Sequence, residues 1–506
     1  MQELLANHPH KLATVHVNHP SKQIRVALPH NDEDVLREHG NVSRQHQTDL
    51  MSLAENRAVH KGKRTTLTRR LWHIGEAFWG GDGLWGILAP LVAVGLLLGG
   101  VSWQLLGPIE PFTDAARYQC YAVAFWRGAV ALRALTAMHH CQFLASVATV
   151  APFHTLPLEY PLLALVPFTL GLTAPVPFYQ LAFALWMGIL VVAVYFLLRQ
   201  FGPRGSGFLF LVYLVVGGWG TAMGRFDLVP AALALGSLIA ATRARWRWSY
   251  VLLALATMLK FYPVILLPAL FIAEQCDLYL NWYDMRRLFG IVLFISICAG
   301  LTLLSLALSV PGTLIPFSYF GMRPIQVESL PATILWFAHL AGIPSTYIFT
   351  FGSLNVLSPW SHIVSLLFTA ALIAGLIGVL LAQLRGWLRL DEAYLVLLLV
   401  IIVTGKVFSP QYLIWLAPVV AYVAPKNWRW FLLWITVSLL TTVIYPYIYD
   451  VAPILKVPYV PAFFPVVATR DLLLLFVTVA YGGNLIGLRR TRAAASTSLK
   501  HWLAIK

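Results

Sequence analysis

The feature that most constrains this chain is a succession of long uncharged apolar runs between residues 84 and 488. The first reads "LWGILAPLVAVGLLLGGVSWQLL" (84–106), and runs of the same character recur at 176–198, 288–311, 359–384 and, interrupted by one Arg-Asp pair, at 465–488. A bilayer core about 30 Å thick takes about 20 helical residues to cross, and inside it each backbone polar group must be satisfied within its own segment. The runs therefore predict an all-α polytopic membrane protein. Composition agrees: of 506 residues 59% are hydrophobic and 11% charged, with mean hydropathy +0.72, whereas soluble domains average about 25% charged.

A net charge of +15 would suit a nucleic-acid binder, but its distribution points elsewhere. Lys and Arg stand in short clusters between the apolar runs, in "KGKRTTLTRR" (61–70), "RQFGPR", "RARWRW", "RGWLR", "PKNWR" and "RRTR". Cytoplasmic loops carry this bias. The expected partners are membrane lipids, and no nucleic acid. Alternation of the clusters gives about ten to twelve crossings with both termini cytoplasmic. Residues 1–70 read as a disordered, histidine-rich cytoplasmic tail, 71–490 as the transmembrane domain and 491–506 as a second cytoplasmic tail. Ligand spacing among the tail histidines is poor, so no metal is expected there.

Several segments are not simple crossings. Residues 107–158 mix charged and apolar residues and suggest an external loop with one or two interfacial helices. The short "EYPLLALVPFTLGLTA" (159–174) suggests a half-embedded element, and 312–358 a second external segment. The run 248–273 is broken by "KFYP", either a hairpin of two short helices with this break at its apex or one kinked span. Cys120 and Cys141 pair if both lie outside; two free thiols are the alternative.

With this topology the polar residues sort to one side. Asp114, Glu159, Arg225, Asp227, Lys260, Arg323, Glu328, Lys406 and Gln411 all fall at outer helix ends or in external segments. Intramembrane charge is costly and normally faces a partner or a wet cavity, so one outward-facing cavity is expected. Asp114 is either a helix N-cap or a general base able to take a proton from a sugar hydroxyl. In "GRFDLVP", Arg225 and Asp227 form either an ion pair with a cap or part of an anion site, since a guanidinium fork suits phosphate. Lys260 stands far from a helix end and predicts an anionic partner. In "MRPIQVESLPATI" Arg323 and Gln326 project outward, with Glu328 available for capping; in "KVFSPQYLIW" Lys406 and Gln411 flank a helix start that favours an anion. Arg117, Tyr160, Tyr262 and Tyr412 complete the candidate substrate-binding set. No phosphate-binding glycine loop or dinucleotide fingerprint is present, so a soluble nucleotide-sugar donor is not indicated. "HH" at 139–140 with His154 is too sparse to predict a metal.

The stretches "GRFDLVPAALALGSLIAATRARWRW…LLALATMLKFYPVILLP", "RPIQVESLPA" and "KVFSPQYLIWLAP" resemble the polyprenol-phosphate-mannose-dependent α-mannosyltransferases of glycosyltransferase family 87, in the GT-C superfamily. The resemblance spans roughly 80–488 and implies a GT-C-type helical bundle in the plasma membrane. It further implies inverting transfer of a sugar, mannose in that family, from a polyprenyl-phosphate donor to a glycolipid or glycan hydroxyl on the extracytoplasmic face. By the same resemblance Asp114 is the catalytic base, Arg225, Lys260, Arg323 and Lys406 hold the donor phosphate, and no metal or other cofactor takes part. The chain departs from GT-C patterns in "EYPLL", with one proline where a pair is common. A transporter or flippase of a lipid-linked sugar is the alternative, but no internal repeat supports one.

Overall fold

The computed structural model describes residues 85–106, 114–134, 139–144, 146–278, 285–423 and 428–504; the histidine-rich tail lies outside them. Within them the chain is mostly helical. Five helices are long and apolar enough to cross a membrane: Val176–Phe201, Met285–Leu308, Ser361–Leu384, Trp428–Val451 and Phe463–Gly483. Those at 285–308 and 361–384 are mostly uncovered by protein, as lipid-facing helices should be. The last helix continues past the expected end of its span to Ala504.

The helices around the polar residues are shorter. We number α1 Trp85–Leu106, α2 Asp114–Ala134, α3 Leu165–Leu170, α4 Tyr179–Phe201, α5 Ser206–Gly217, α6 Leu228–Ala241, α7 Trp246–Leu259 and α8 Leu267–Leu278. The series continues with α9 Phe289–Leu308, α10 Val310–Met322, α11 Leu330–Leu340, α12 Ser361–Leu384, α13 Leu390–Thr404, α14 Tyr412–Val423, α15 Trp428–Thr442 and α16 Phe463–Ala504. Helices α5, α6, α7, α13 and α14 have only 12 to 15 residues, or about 18–23 Å at 1.5 Å per residue. They fall short of an apolar slab about 30 Å thick. Where they stop, the chain places Arg225, Asp227, Lys260, Lys406 and Tyr412. Turns at Gly218, Lys260 and Gly405 cut the runs that composition alone would extend across the bilayer, so the expected ten to twelve crossings appear as five long helices and a set of half-length ones.

The break at Lys260 is a hairpin. Tyr250, near the start of α7, donates to Glu274 near the end of α8 at 2.7 Å, and Gln275 donates to the Arg287 carbonyl at 3.2 Å. Both arms therefore return to one end of the bundle, and "KFYP" is the apex at the other.

The segment after α1, expected to be external, forms α2, which is interrupted at Gly128 (φ 74°); a Cβ there would lie 2.2 Å from the Val150 carbonyl oxygen, so only glycine fits. A 3-10 turn at His139–Leu144 follows, and Cys120 and Cys141 are joined by a disulfide with Cα atoms 5.6 Å apart. Leu162–Thr173 is an apolar helix too short to cross.

The mostly helical structure agrees with the expected all-α class, with one small addition. The segment 312–358, expected to be external, contains a three-stranded antiparallel sheet: β1 (Ile325–Gln326), β2 (Thr346–Thr350) and β3 (Ser353–Leu357), in spatial order β1-β3-β2. Strands β2 and β3 form a hairpin in which Thr350 faces Ser353, turning through Phe351 (φ 54°) and Gly352 (φ 65°). Two successive positive φ values match the two-residue turn whose twist suits a hairpin. Val327, Leu354 and Val356 pack with Ile444, Phe463 and Val467, fixing the sheet to the last helix.

Candidate functional site

The short helices end on a cluster of opposite charges. Asp114 is the first residue of α2, where a carboxylate is favoured by the helix dipole. Its Oδ2 pairs with Arg225, and its side chain keeps 25% of its surface open. Asp227, two residues after Arg225, does not take up that arginine and makes no side-chain cap to α6. It is 1% exposed, and its Oδ1 accepts from Lys260 Nζ and from Trp415 Nε1, each at 2.6 Å. The alternative of a local Arg225–Asp227 pair is thus replaced by two pairs that cross the fold. Lys260 has the anionic partner its position called for, and that partner is a side chain.

Aromatic rings wall this pair. The Lys260 ammonium lies 5.0 Å from the Trp415 ring centre and 5.5–5.8 Å from those of Phe226, Tyr160 and Tyr412. Trp415 is held between Tyr262 (3.9 Å, 3°) and Tyr412 (3.9 Å, 22°). Each cation–π contact adds about 0.5–2 kcal/mol, which offsets part of the cost of burying the ammonium.

Arg323 and Lys406 are different. Neither has an ion pair among the described residues. Among the described residues Lys406 Nζ reaches only the Gly321 carbonyl, at 3.3 Å. Burial first, and then the charge of Arg323, depress the Lys406 pKa below the usual lysine value. Two like charges held together in a half-buried place favour an anion between them.

Several buried polar atoms here have no hydrogen-bond partner among the described residues: Asp227 Oδ2, the Tyr262 hydroxyl, Arg323 Nε and Gln411 Oε1. Native proteins leave few such atoms, and each calls for an explanation. Similar atoms occur elsewhere in the fold, at Tyr213, Trp246 and Trp434 among others, so what sets these apart is their place beside the charged residues at the helix ends.

The remaining expected residues are beside this cluster or serve the fold. Arg117 pairs with Glu159 and lies over the Phe143 ring at 4.6 Å; this second ion pair flanks Asp114 one turn along α2. Gly352 is packed against its guanidinium, where a Cβ would lie 2.1 Å from Nη1. Gln326 is buried and fastens two connections, donating its backbone N–H to the Lys406 carbonyl at 3.0 Å and exchanging hydrogen bonds with Ser409 Oγ at 2.9 and 3.0 Å. Glu328 belongs to a separate buried network with Arg470 (3.3 Å) and Tyr449 (2.8 Å). Trp415, Phe226, Tyr449 and Arg470 were not expected. Trp415 carries a signal in its three-residue spacing from Tyr412, which places both rings on one helix face. Among the described residues no group of three His, Cys, Asp or Glu side chains could hold a metal ion, and the His139 and His140 side chains lie outside them.

No family model, curated protein or solved structure matches this chain.

Proposed function

We propose that the chain is an inverting glycosyltransferase built on a GT-C-type bundle, which moves a sugar, mannose by resemblance, from a polyprenyl phosphate to a hydroxyl of a glycolipid or glycan. The observation that carries this reading is that Arg323 and Lys406, close enough for the charge of one to act on the other, have no carboxylate partner among the described residues, while Asp114, paired with Arg225, keeps a quarter of its side chain open. In the proposed step Asp114 takes the acceptor proton as the acceptor oxygen attacks the anomeric carbon from the face opposite the phosphate. The bond from that carbon to the phosphate oxygen breaks, and the lipid phosphate departs as an anion. Arg323 and Lys406 neutralise the charge it gains, the role that fixed cations serve at developing anions. They supply positive charge that a metal would otherwise bring, so the reaction is proposed to be metal-independent.

Arg225 and Lys260, already paired with Asp114 and Asp227, are assigned to orient the carboxylates instead of the phosphate. The half-length helices support a site recessed below the membrane surface, within reach of a phosphate on a lipid. The Cys120–Cys141 disulfide supports an extracytoplasmic location for the α2 segment, since disulfides persist in oxidising compartments. On this reading the protein acts in the plasma membrane with its termini in the cytoplasm.

The test uses purified protein in nanodiscs with radiolabelled polyprenyl phosphate mannose and a membrane lipid extract as acceptor. Wild type should transfer label with or without EDTA. Asp114→Asn should bind donor yet transfer about 10²–10⁴-fold more slowly. Label crossing the bilayer without changing carrier would overturn the enzyme in favour of a transporter; full activity in the variant would remove Asp114 as the base.

A further inference from the structure

The two unpaired cations stand on different connections, Arg323 just before β1 and Lys406 just after α13. Their separation is not set by either connection alone. Gln326 ties the two directly through the Lys406 carbonyl and Ser409. Two residues beyond each of these points a single buried side chain touches both connections. Arg470, in α16 and 0% exposed, donates to the backbone carbonyl of Glu328 and, from Nη1, to its Oε2 at 3.3 Å. The carbon of the same guanidinium lies 4.3 Å from the ring centre of Phe408, which follows Lys406 by two residues. Asp471 holds the fork from behind through Nε (3.0 Å) and Nη2 (2.9 Å).

A buried ion network is not an economical way to gain stability alone, because well-packed apolar groups often do as well. What a guanidinium offers is a rigid plane with donors along its edge and an aromatic-stacking face. Here the edge takes one connection and the face takes the other. We propose that Arg470 is a positioning residue, which sets the spacing of Arg323 and Lys406 and through it the affinity for a lipid phosphate that it never touches. This rests on the reading that those two cations bind the phosphate.

The experiment measures binding of undecaprenyl phosphate, and donor KM and kcat, for wild type, Phe408→Leu, Phe408→Tyr and Arg470→Lys. Phe408→Leu removes the face contact and leaves every ion pair in place. It should weaken undecaprenyl phosphate binding roughly tenfold, in keeping with a desolvated cation–π contact, and both raise donor KM and lower kcat, because the same two cations meet the departing phosphate. Phe408→Tyr, which keeps the ring, should restore both. Arg470→Lys keeps the charge and loses the fork, so it should lose at least as much affinity. If it fails to fold, the Phe408 pair decides. Variants that unfold more easily yet bind undecaprenyl phosphate as wild type does would overturn the positioning role and leave the phosphate site standing. A wild type that does not bind undecaprenyl phosphate would remove the phosphate site, and the positioning role with it.

Discussion

Two buried charge clusters lie on neighbouring parts of this protein, and burial does not tell them apart. Asp471 is 2% exposed in one and Asp227 is 1% exposed in the other. Completeness does. Around Arg470 each carboxylate oxygen has a donor: Tyr449 and Arg470 serve Glu328, while Thr333 (2.9 Å) and Arg470 serve Asp471. Around Lys260 one oxygen of Asp227 takes two donors and the other takes none, and the Tyr262 hydroxyl is likewise unserved. A satisfied buried network rigidifies a fold, while a partly satisfied one costs free energy until something fills it. The first cluster holds the sheet and the last helix together. The second has unfilled hydrogen-bonding capacity, which the proposed function assigns to substrate.

The largest expected effect breaks the closed cluster. Arg470→Met should leave Glu328 and Asp471 without their cation, at a cost of about 3–5 kcal/mol. Unfolding in mixed detergent should show this as a much lower midpoint or a failure to fold. An unchanged midpoint would mean that the cluster does not organise the fold.

The open cluster should answer in the opposite sense. Arg323→Gln relieves a like-charge neighbour of Lys406, so its unfolding midpoint should hold or rise. Binding of undecaprenyl phosphate should fall by about 10- to 100-fold, because a charge-assisted hydrogen bond contributes about 1.5–3 kcal/mol. A loss of stability with no loss of binding would erase the distinction between the clusters.

Much of this arrangement was legible beforehand, and what was not has physical reasons. Basic clusters and apolar runs lead to the expectation that residues 114, 225, 260, 323 and 406 share one side, and the structure joins 114 with 225 and 227 with 260. The apex at Lys260 follows from a lysine and a proline interrupting one run. Pairing was not legible: Arg225 and Asp227 are neighbours in sequence, yet each finds its partner on another helix, Asp114 and Lys260. Proximity along the chain says little about which side chains meet when helix ends converge. The sheet is not legible because its strands are short and lie inside 312–358, which the sequence marks only as an external segment, although "TYIFTFGSLNVL" has a hairpin turn at its centre. Arg470 and Asp471 did carry a signal, two charges inside a run otherwise apolar, which in a membrane segment marks a partner elsewhere.

The comparison is sharpest at a pair of tyrosines differing only in whether the hydroxyl is used. Tyr449→Phe removes a donor from buried Glu328 and should cost about 1–3 kcal/mol, the penalty for leaving a buried acceptor unserved. Tyr262→Phe removes a hydroxyl that has no partner among the described residues, and the Trp415 stack needs only the ring. Its unfolding midpoint should therefore stay within about 0.5 kcal/mol of wild type or rise slightly. The same substitution should weaken binding or turnover of the glycosylated donor, because the hydroxyl is then needed. Equal destabilisation by the two substitutions would show that Tyr262 is satisfied within the resting fold, and the cluster around Lys260 would then be as closed as the one around Arg470.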